Sequence, residues 1–233
     1  MSNTPMTTAP HAVPNPFERY KHIVVEGPIG VGKTSLARKL AERFRAESIL
    51  EQPEENPFLE RFYRDGRRYA LPTQLFFLFQ RVNQLRELAQ RDLFSTPVVG
   101  DFLLDKDPLF ASLTLDNDEL KLYRNILEHL RPQVPTPDLV IYLQANAERL
   151  ETRVRKRGLA MENSITGSYL AGLSDAYTRF FYQYDAAPLL IINTEHLNPI
   201  DREEDFEILI KQMMELKGRR SFFNVGQGLL KDP

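Results

Sequence analysis

A glycine-rich stretch near the start of the chain has the residue types and spacing of a phosphate-binding loop. The stretch VVEGPIGVGKTS follows an apolar run and opens an amphipathic helical pattern, which is the context that a P-loop requires. Glycines let backbone N–H groups turn toward phosphate oxygens, and the helix N-terminus adds a positive dipole end. Lys33 would reach the outer phosphates, and Thr34 would bind a magnesium ion. The residues predicted to bind ATP are Gly27, Gly30, Gly32, Lys33, Thr34 and Ser35.

A carboxylate follows the next apolar segment of the chain. Glu51 comes directly after Ile49 and Leu50, where a second strand should end, and ligands bind at the carboxyl ends of the strands in parallel α/β sheets. At that place Glu51 could accept a proton from a sugar hydroxyl and direct the hydroxyl oxygen at a γ-phosphate. The alternative is a solvated acidic turn that Glu51 shares with Glu54 and Glu55.

A long helical pattern then carries two polar residues on one face. Gln74 precedes the segment LFFLF, which is apolar on every side and is expected to be buried, and Arg81 follows on the stripe of positions 74, 78, 81 and 85. A buried amide must find hydrogen-bond partners, and glutamine offers both a donor and an acceptor, which suits the edge of a nucleobase. The alternative is a helix-end glutamine that bonds to the backbone.

The composition narrows the classes of function. A formal net charge of -2 does not favour nucleic acid or an anionic membrane as a partner. The chain has no cysteine and only four scattered histidines, which excludes disulfides, thiolate catalysis and thiolate zinc sites. No segment approaches about eighteen uninterrupted apolar residues, and the first residues lack the pattern of a secretory signal. We therefore expect a cytoplasmic protein with a small-molecule ligand.

The order of apolar and helical segments predicts an α/β fold. The runs HIVVEG, TPVVGDF, PDLVIYLQA and PLLIINT lack strict alternation, and a helical pattern follows each of them, as in a parallel sheet covered on both faces. With the strand before Glu51, the expected fold is a P-loop NTPase three-layer sandwich with a sheet of about five strands. The predicted helices span residues 33–45, 69–93, 116–130, 147–157, 168–184 and 203–216.

Together these features resemble the deoxynucleoside kinase family, and most closely its bacterial branch of deoxyadenosine and deoxyguanosine kinases. The resemblance covers residues 22–194 and is carried by EGPIGVGKTS, by Glu51 with PEENPFLERFY, by the spacing of Tyr63, Gln74 and Arg81, and by KDPLFA and RVRKRG with Glu162 beyond. It implies an enzyme that uses Mg2+ to transfer the γ-phosphate of ATP to the 5'-hydroxyl of a deoxynucleoside in nucleotide salvage, usually as a homodimer.

The resemblance also implies a role for individual residues. Glu51 would orient and deprotonate the 5'-hydroxyl, while Tyr63 and Glu162 would hold the sugar 3'-hydroxyl. Gln74 would read the edge of the base. Phe110 would stack on the base, a contact worth about 1–3 kcal/mol for base–aromatic stacking in general; the alternative is an ordinary core phenylalanine.

A basic helix segment resembles the lid of the family. Arg153 and Arg157 lie at i and i+4, so one helix face presents two guanidiniums, and the flexible segment GLAMENSITGS follows. Closing over the transferred phosphate, these arginines could stabilise transition-state charge. Arg157 is the stronger candidate and Arg155 the weakest, because most cations of such a run are solvated.

The chain departs from the family pattern after its central strand. The family places an acidic residue, an arginine and a serine there, whereas this chain has Gly100, Asp101 and Phe102. An ungapped count puts Asp101 at the position of the arginine. With a shift of one residue, which we prefer, Asp101 becomes the acidic residue that would hold magnesium.

A second departure concerns the choice of base. Lys106 stands where relatives that phosphorylate deoxyadenosine or deoxycytidine have an acidic residue. A lysine donates hydrogen bonds and cannot accept them, so Lys106 and Arg81 near the purine six-position would favour guanine over adenine. We therefore predict deoxyguanosine ahead of deoxyadenosine. The alternative is a surface lysine that opens a helix.

The domain boundaries follow from these assignments. Residues 1–16, with four prolines, are expected to be a disordered leader. Residues 17–217 would form a single kinase domain with a lid near 153–167. Residues 218–233 are expected to be an irregular tail of unknown role, with Phe222 and Phe223 as candidates to pack onto the domain.

Two other functions share parts of this pattern. A nucleoside monophosphate kinase of the thymidylate-kinase type has the same loop and arginine lid, but it would need an extra cation near Glu51 to meet its acceptor phosphate. A nucleotide-gated binding protein would hydrolyse its nucleotide only to switch conformation. Glu51, Tyr63 and Gln74 favour a nucleoside as the acceptor.

Overall fold

Six parallel strands form one sheet in the computed structural model, which describes residues 13–90 and 96–224. The strands are β1 (His22–Glu26), β2 (Glu47–Ile49), β3 (Val98–Gly100), β4 (Leu139–Gln144), β5 (Leu189–Asn193) and β6 (Arg220–Phe223). Their order across the sheet is β2-β3-β1-β4-β5-β6, and every pair of neighbours is parallel. The predicted α/β fold with a parallel sheet is therefore confirmed, with one strand more than the five that we expected.

Helices fill most of the segments between the strands. In the described residues they are α1 (Lys33–Phe44), α2 (Leu59–Arg64), α3 (Gly66–Ala89), α4 (Asp107–Thr114), α5 (Asn117–Leu130), α6 (Ala147–Arg157), α7 (Gly167–Gln183) and α8 (Glu203–Glu215). All six predicted helices are present. The end that we predicted for α3 at residue 93 lies outside the described residues. The helices α2 and α4 were not predicted, because six and eight residues are too few to show a helical period.

The sheet is covered on both faces, as its apolar composition requires. Ile23 and Val25 of β1 pack on one face in a cluster with side chains of α1 and α8. Val24, between them, points to the other face and packs with side chains of α7, because successive side chains of a strand alternate. Side chains of α3 and α5 enclose a third cluster beside β3. The carboxyl ends of β1, β2 and β3 are thus brought together under one set of loops.

The segment LFFLF in α3 is less buried than we predicted. Leu78 is fully buried, but Phe79 is 48% exposed, so the prediction of burial on every side is wrong. The polar stripe on the same helix is confirmed: Gln74 and Arg81 are each 4% exposed, in line with the buried Leu78 and Leu85. In the part of the chain that the structure describes, α3 and the other helices lack the length and hydrophobicity needed to cross a bilayer.

The two ends of the chain differ in how they meet the predictions. Most of residues 1–16 lie outside the described residues, and of the rest Val13 packs against the core while Pro16 is buried. Our prediction of an irregular tail is wrong for residues 220–223. These residues form β6 at the sheet edge beside β5. Phe223 packs against the core, whereas Phe222 is 58% exposed.

We predict that Phe206→Ala destabilises the protein through the cluster that α1 and α8 form on the sheet. Phe206 is fully buried and stacks on Phe44, so truncation should lower the free energy of unfolding by about 3–5 kcal/mol. Phe222→Ala is the matched control and should cost less than about 1 kcal/mol, because most of its ring is exposed. Urea unfolding followed by circular dichroism measures both variants, and equal losses would contradict the placement of α8.

Candidate active site

The loop between β1 and α1 depends on glycines in conformations that other residues rarely adopt. Gly27 has a φ of 149° and Gly32 has a φ of 104°. A Cβ atom on Gly27 would lie 2.5 Å from the carbonyl oxygen of Leu143. Gly32 is the N-cap of α1, and as a glycine it has no side chain to cap the first turn. The N–H groups of that turn can therefore bind an anion.

Asp101 joins this loop to Glu51. Its Oδ2 accepts a hydrogen bond of 2.5 Å from Thr34 Oγ1, and its Oδ1 accepts one of 2.8 Å from the backbone N–H of Glu51. Burial, followed by the charge of Glu51, raises the pKa of the Asp101 carboxyl. The two residues that we predicted as magnesium ligands are thus in direct contact. A hydroxyl and a carboxylate are hard oxygen ligands of the kind that Mg2+ takes beside phosphate oxygens and water.

A chain of buried ion pairs runs beneath the site. The guanidinium of Arg81 pairs with Glu51 through Nε at 2.6 Å and also with Asp107. The ammonium of Lys106 lies 2.8 Å from Glu26 Oε1 and 3.4 Å from Glu51 Oε1. All five side chains are buried or nearly so, and Glu51, with 17% of its side chain exposed, is the most open of them. Two cations therefore alternate with three carboxylates at the carboxyl edge of the sheet.

The charges of this chain set the protonation of its members. Burial alone would raise the pKa of Glu51, but Arg81, Lys106 and Lys33 lower it to about 2. Burial would likewise lower the pKa of Lys106, and the carboxylates of Glu26 and Glu51 raise it above its ordinary value. For Lys33, burial and the nearby Lys106 together lower the pKa. Glu51 is consequently ionised and Lys106 is charged near neutral pH.

Glu26 ties the phosphate loop to this chain of charges. Its Oε2 accepts hydrogen bonds from the backbone N–H of Gly27 at 2.9 Å and from the Tyr177 hydroxyl at 3.2 Å. Its Oε1 accepts a hydrogen bond of 2.7 Å from the N–H of Leu103 in addition to the Lys106 ammonium. We did not identify Glu26 from the sequence, although an acidic residue at the end of an apolar strand was a usable signal.

One cavity gathers every residue that we predicted to contact the acceptor. Its wall includes Leu59 and Phe77 on the apolar side and Lys33, Thr34 and Gly30 of the loop. Tyr169 also lines it and was not identified from the sequence. The predicted residues in its wall are Glu51, Tyr63, Gln74, Arg81, Lys106, Phe110 and Glu162.

The side chains in this cavity have defined partners. Gln74 Nε2 donates a weak hydrogen bond of 3.4 Å to Thr114 Oγ1. Burial raises the pKa of the Tyr63 hydroxyl, so this group stays protonated and can donate a hydrogen bond. The ring of Phe110 lies edge-on to Tyr177, with 6.0 Å between the ring centroids. The base-stacking role of Phe110 and the base-reading roles of Gln74 and Lys106 stay predictions.

The three arginines of α6 have different surroundings. Arg157 donates from Nε to Glu162 Oε2 at 3.0 Å and lines the cavity of Glu51. Arg153 donates to the carbonyl oxygens of Val31 and Thr194 at 3.2 and 2.8 Å. Arg155 pairs with Glu151 on the surface. The structure therefore separates Arg157, which faces the cavity, from Arg153, which is bonded to backbone carbonyls behind the phosphate loop.

A second, larger cavity adjoins the first one. Gly32 and Ser35 of the loop line it, together with Arg153 and the segment around Thr194. Gly30 and Arg157 line both cavities. The phosphate loop therefore lies between the two cavities. A molecule in the cavity of Glu51 could reach a group that is bound on the loop.

A P-loop at the carboxyl edge of a parallel sheet, between two cavities of which the first holds the carboxylate of Glu51 beside the loop, defines a P-loop phosphotransferase. The family model described as deoxynucleoside kinase matches residues 23–216. The chain therefore belongs to the deoxynucleoside kinase family.

Individual relatives agree with this membership. The chain is 33% identical over 199 residues to a deoxyguanosine kinase of Bacillus subtilis. This match covers 83% of this chain and 96% of that protein. It is 29% identical over 203 residues to a deoxyadenosine/deoxycytidine kinase of the same organism, covering 82% and 90%. The solved structure of deoxyadenosine kinase from M. mycoides with bound dATP has the same fold, with a TM-score of 0.73 at 24% identity over 84% of this chain and 100% of that one.

We predict that Gly27→Ala weakens the binding of ATP at least tenfold. An alanine at this position would have to adopt a positive φ, which costs about 1–2 kcal/mol, and its Cβ would collide with the Leu143 carbonyl oxygen. Gly172→Ala in α7 is the matched control, because a Cβ there meets nothing within 4 Å. Titration calorimetry with ATP and magnesium measures both variants. A folded Gly27→Ala protein that binds ATP as tightly as the wild type would contradict the phosphate role of the loop.

Proposed function

We propose that this protein transfers the γ-phosphate of ATP to the 5'-hydroxyl of a purine deoxynucleoside in nucleotide salvage. The observation that carries this proposal is the pair of adjoining cavities, which share Gly30 and Arg157 and have the phosphate loop between them. The larger cavity takes ATP. The smaller one takes the nucleoside, so that its 5'-hydroxyl meets the γ-phosphate beside Glu51.

The carboxylate of Glu51 is placed to act as the general base for this transfer. Its Oε1 is occupied by Arg81 and Lys106, and within the described residues its Oε2 accepts no hydrogen bond. Oε2 is therefore available to the hydroxyl proton. A pKa of about 2 makes Glu51 a weak base, which suffices because phosphoryl transfer depends mainly on positioning and charge stabilisation.

The surrounding residues position the two substrates. Tyr63 and Glu162 hold the sugar 3'-hydroxyl, Gln74 reads the base edge, and Phe110 stacks on the base. Their common cavity supports these roles. The names of the relatives in Bacillus subtilis, a deoxyguanosine kinase and a deoxyadenosine/deoxycytidine kinase, support a deoxynucleoside as the acceptor.

Cations stabilise the charge of the transferred group. Lys33 lines the nucleoside cavity at the start of α1, and Arg157 reaches it from α6. Arg153 contributes by holding the loop, since it bonds to the Val31 carbonyl oxygen. Thr34 and Asp101 would hold Mg2+, which neutralises phosphate charge when it is bound.

We also propose a homodimer formed through α3 and α5. These helices pack against each other, and each leaves a large apolar side chain in solvent, Phe79 at 48% and Leu122 at 49% exposure. A two-fold contact would bury the same patch on both copies. Such apolar side chains on neighbouring helices favour an interaction surface.

We predict that Glu51→Gln lowers the kcat for deoxynucleoside phosphorylation by about 10^2–10^4-fold, the range of general-base catalysis. The substitution keeps the shape of the side chain and removes the proton acceptor. Glu54→Gln is the matched control, because Glu54 is an exposed carboxylate three positions further along, and it should keep wild-type turnover.

The assay for this pair is acceptor-dependent release of ADP from ATP and magnesium, with a panel of deoxynucleosides and nucleoside monophosphates. A folded Glu51→Gln protein with near-wild-type kcat would refute the role of Glu51. Release that depends on monophosphates alone, or that needs no acceptor, would refute the proposed reaction.

The dimer prediction concerns mass in solution. Light scattering at micromolar concentration should give twice the chain mass of 27.0 kDa, and Phe79→Lys should shift the protein toward the monomer by placing a charge in the contact. Tyr182→Lys, at a 78% exposed position of α7, is the control and should leave the mass unchanged. A monomer mass for the wild type would contradict the dimer.

A further inference from the structure

Lys106 is buried more deeply than a lysine tolerates without charged partners. Its side chain is 1% exposed, and removing an ammonium group from water is expensive unless it is paired and hydrogen-bonded. Its two partners are Glu26 and Glu51, at 2.8 and 3.4 Å. The position of its ammonium is therefore fixed by these carboxylates.

One of the two carboxylates is itself immobilised. Glu26 accepts hydrogen bonds from the N–H groups of Gly27 and Leu103 and from the Tyr177 hydroxyl. It is completely buried at the end of the central strand β1. Glu26 is thus a rigid anchor, and the Lys106 ammonium extends from this anchor toward Glu51.

The other carboxylate has one oxygen held and one oxygen open. Glu51 Oε1 receives Arg81 Nε at 2.6 Å and the Lys106 ammonium at 3.4 Å. Within the described residues, Oε2 accepts no hydrogen bond. Arg81 is in turn fixed by Asp107, which also accepts a hydrogen bond from the Tyr123 hydroxyl. Two anchored cations therefore contact the same oxygen of Glu51.

We propose that Lys106 is a positioning residue for phosphoryl transfer, in place of the base-reading role that we predicted from the sequence. It holds Glu51 Oε1 so that Oε2 is presented to the 5'-hydroxyl, and it transmits the position of the phosphate loop to Glu51 through Glu26. This inference rests on the proposed function. It adds that the phosphate loop and the catalytic base Glu51 are linked through the buried ammonium of Lys106.

Lys106 lines the same cavity as Gln74 and Phe110, but the contacts of its ammonium favour the positioning role over base recognition. The Lys106 ammonium is within 3.4 Å of two carboxylates, whereas Gln74, the candidate reader of the base, bonds to Thr114 of α4. A positioning residue should affect turnover of every nucleoside equally, because Glu51 acts on the sugar hydroxyl. A base reader should instead change the ratio of deoxyguanosine to deoxyadenosine turnover.

The test compares Lys106→Met and Lys106→Arg with the wild type. Methionine keeps an unbranched chain without the charge, and a misplaced catalytic group costs up to about 10^2-fold. We expect kcat to fall by about 10- to 100-fold in Lys106→Met, with the KM values for ATP and nucleoside changed by less than about threefold. Lys106→Arg should recover most of the lost kcat. The kcat/KM ratio for deoxyguanosine over deoxyadenosine should stay at its wild-type value in both variants.

Stability must be separated from positioning, because Lys106→Met leaves Glu26 buried without its cation. A second variant, Lys106→Gln, removes the charge and leaves Glu26 with its backbone and Tyr177 donors, while its side-chain amide can still donate a hydrogen bond. It should fold, as judged by circular dichroism and thermal unfolding, and show the same selective loss of kcat. Lys211→Met, which removes the lysine of an exposed pair with Glu215 in α8, is the control and should keep wild-type kcat.

Several results would overturn the proposal. They are a wild-type kcat in folded Lys106→Met, a change in the purine ratio with kcat retained, or a loss in Lys106→Gln that is confined to stability or KM. If the wild type is active on deoxynucleosides, these results reject the role of Lys106 alone. A wild-type protein without acceptor-dependent ADP release rejects the proposed function and this inference with it.

Discussion

The site depends on a row of alternating buried charges, in which Asp107, Arg81, Glu51, Lys106 and Glu26 each touch the next. Such a row is costly to desolvate, and removing one member leaves an uncompensated charge that costs several kcal/mol. No member can therefore change position without moving its neighbours. This constraint fixes the carboxylate of Glu51 before any substrate arrives.

The same row joins elements that are distant in the sequence. Glu26 ends the central strand and binds the first N–H of the phosphate loop, while Lys106 precedes α4 and Arg81 lies in the middle of α3. Asp101, after β3, adds a second link through Thr34 and the backbone of Glu51. The phosphate loop and the carboxylate of Glu51 are consequently parts of one polar network, as the preorganised catalysis that we propose requires.

Local patterns were sufficient to predict much of this arrangement. The phosphate loop was evident because its glycines and Lys33 are adjacent in the sequence, and the buried stripe of Gln74 and Arg81 followed from the helical period. Neither kind of pattern could show that Lys106 meets Glu26 and Glu51, since this contact arises only where three segments converge at the sheet edge. The strand β6 was missed for a related reason, because its pairing with β5 is a long-range interaction in a short segment.

The central claim is that Glu51, held through Oε1, receives the acceptor hydroxyl on Oε2. A crystal structure of the protein with deoxyguanosine, magnesium and a non-hydrolysable ATP analogue tests it most directly. We predict that the nucleoside 5'-oxygen lies about 2.6–3.2 Å from Glu51 Oε2, with the Lys106 ammonium still between Glu26 and Glu51. A 5'-hydroxyl remote from Glu51, or a Lys106 ammonium bonded to the purine, would contradict the account.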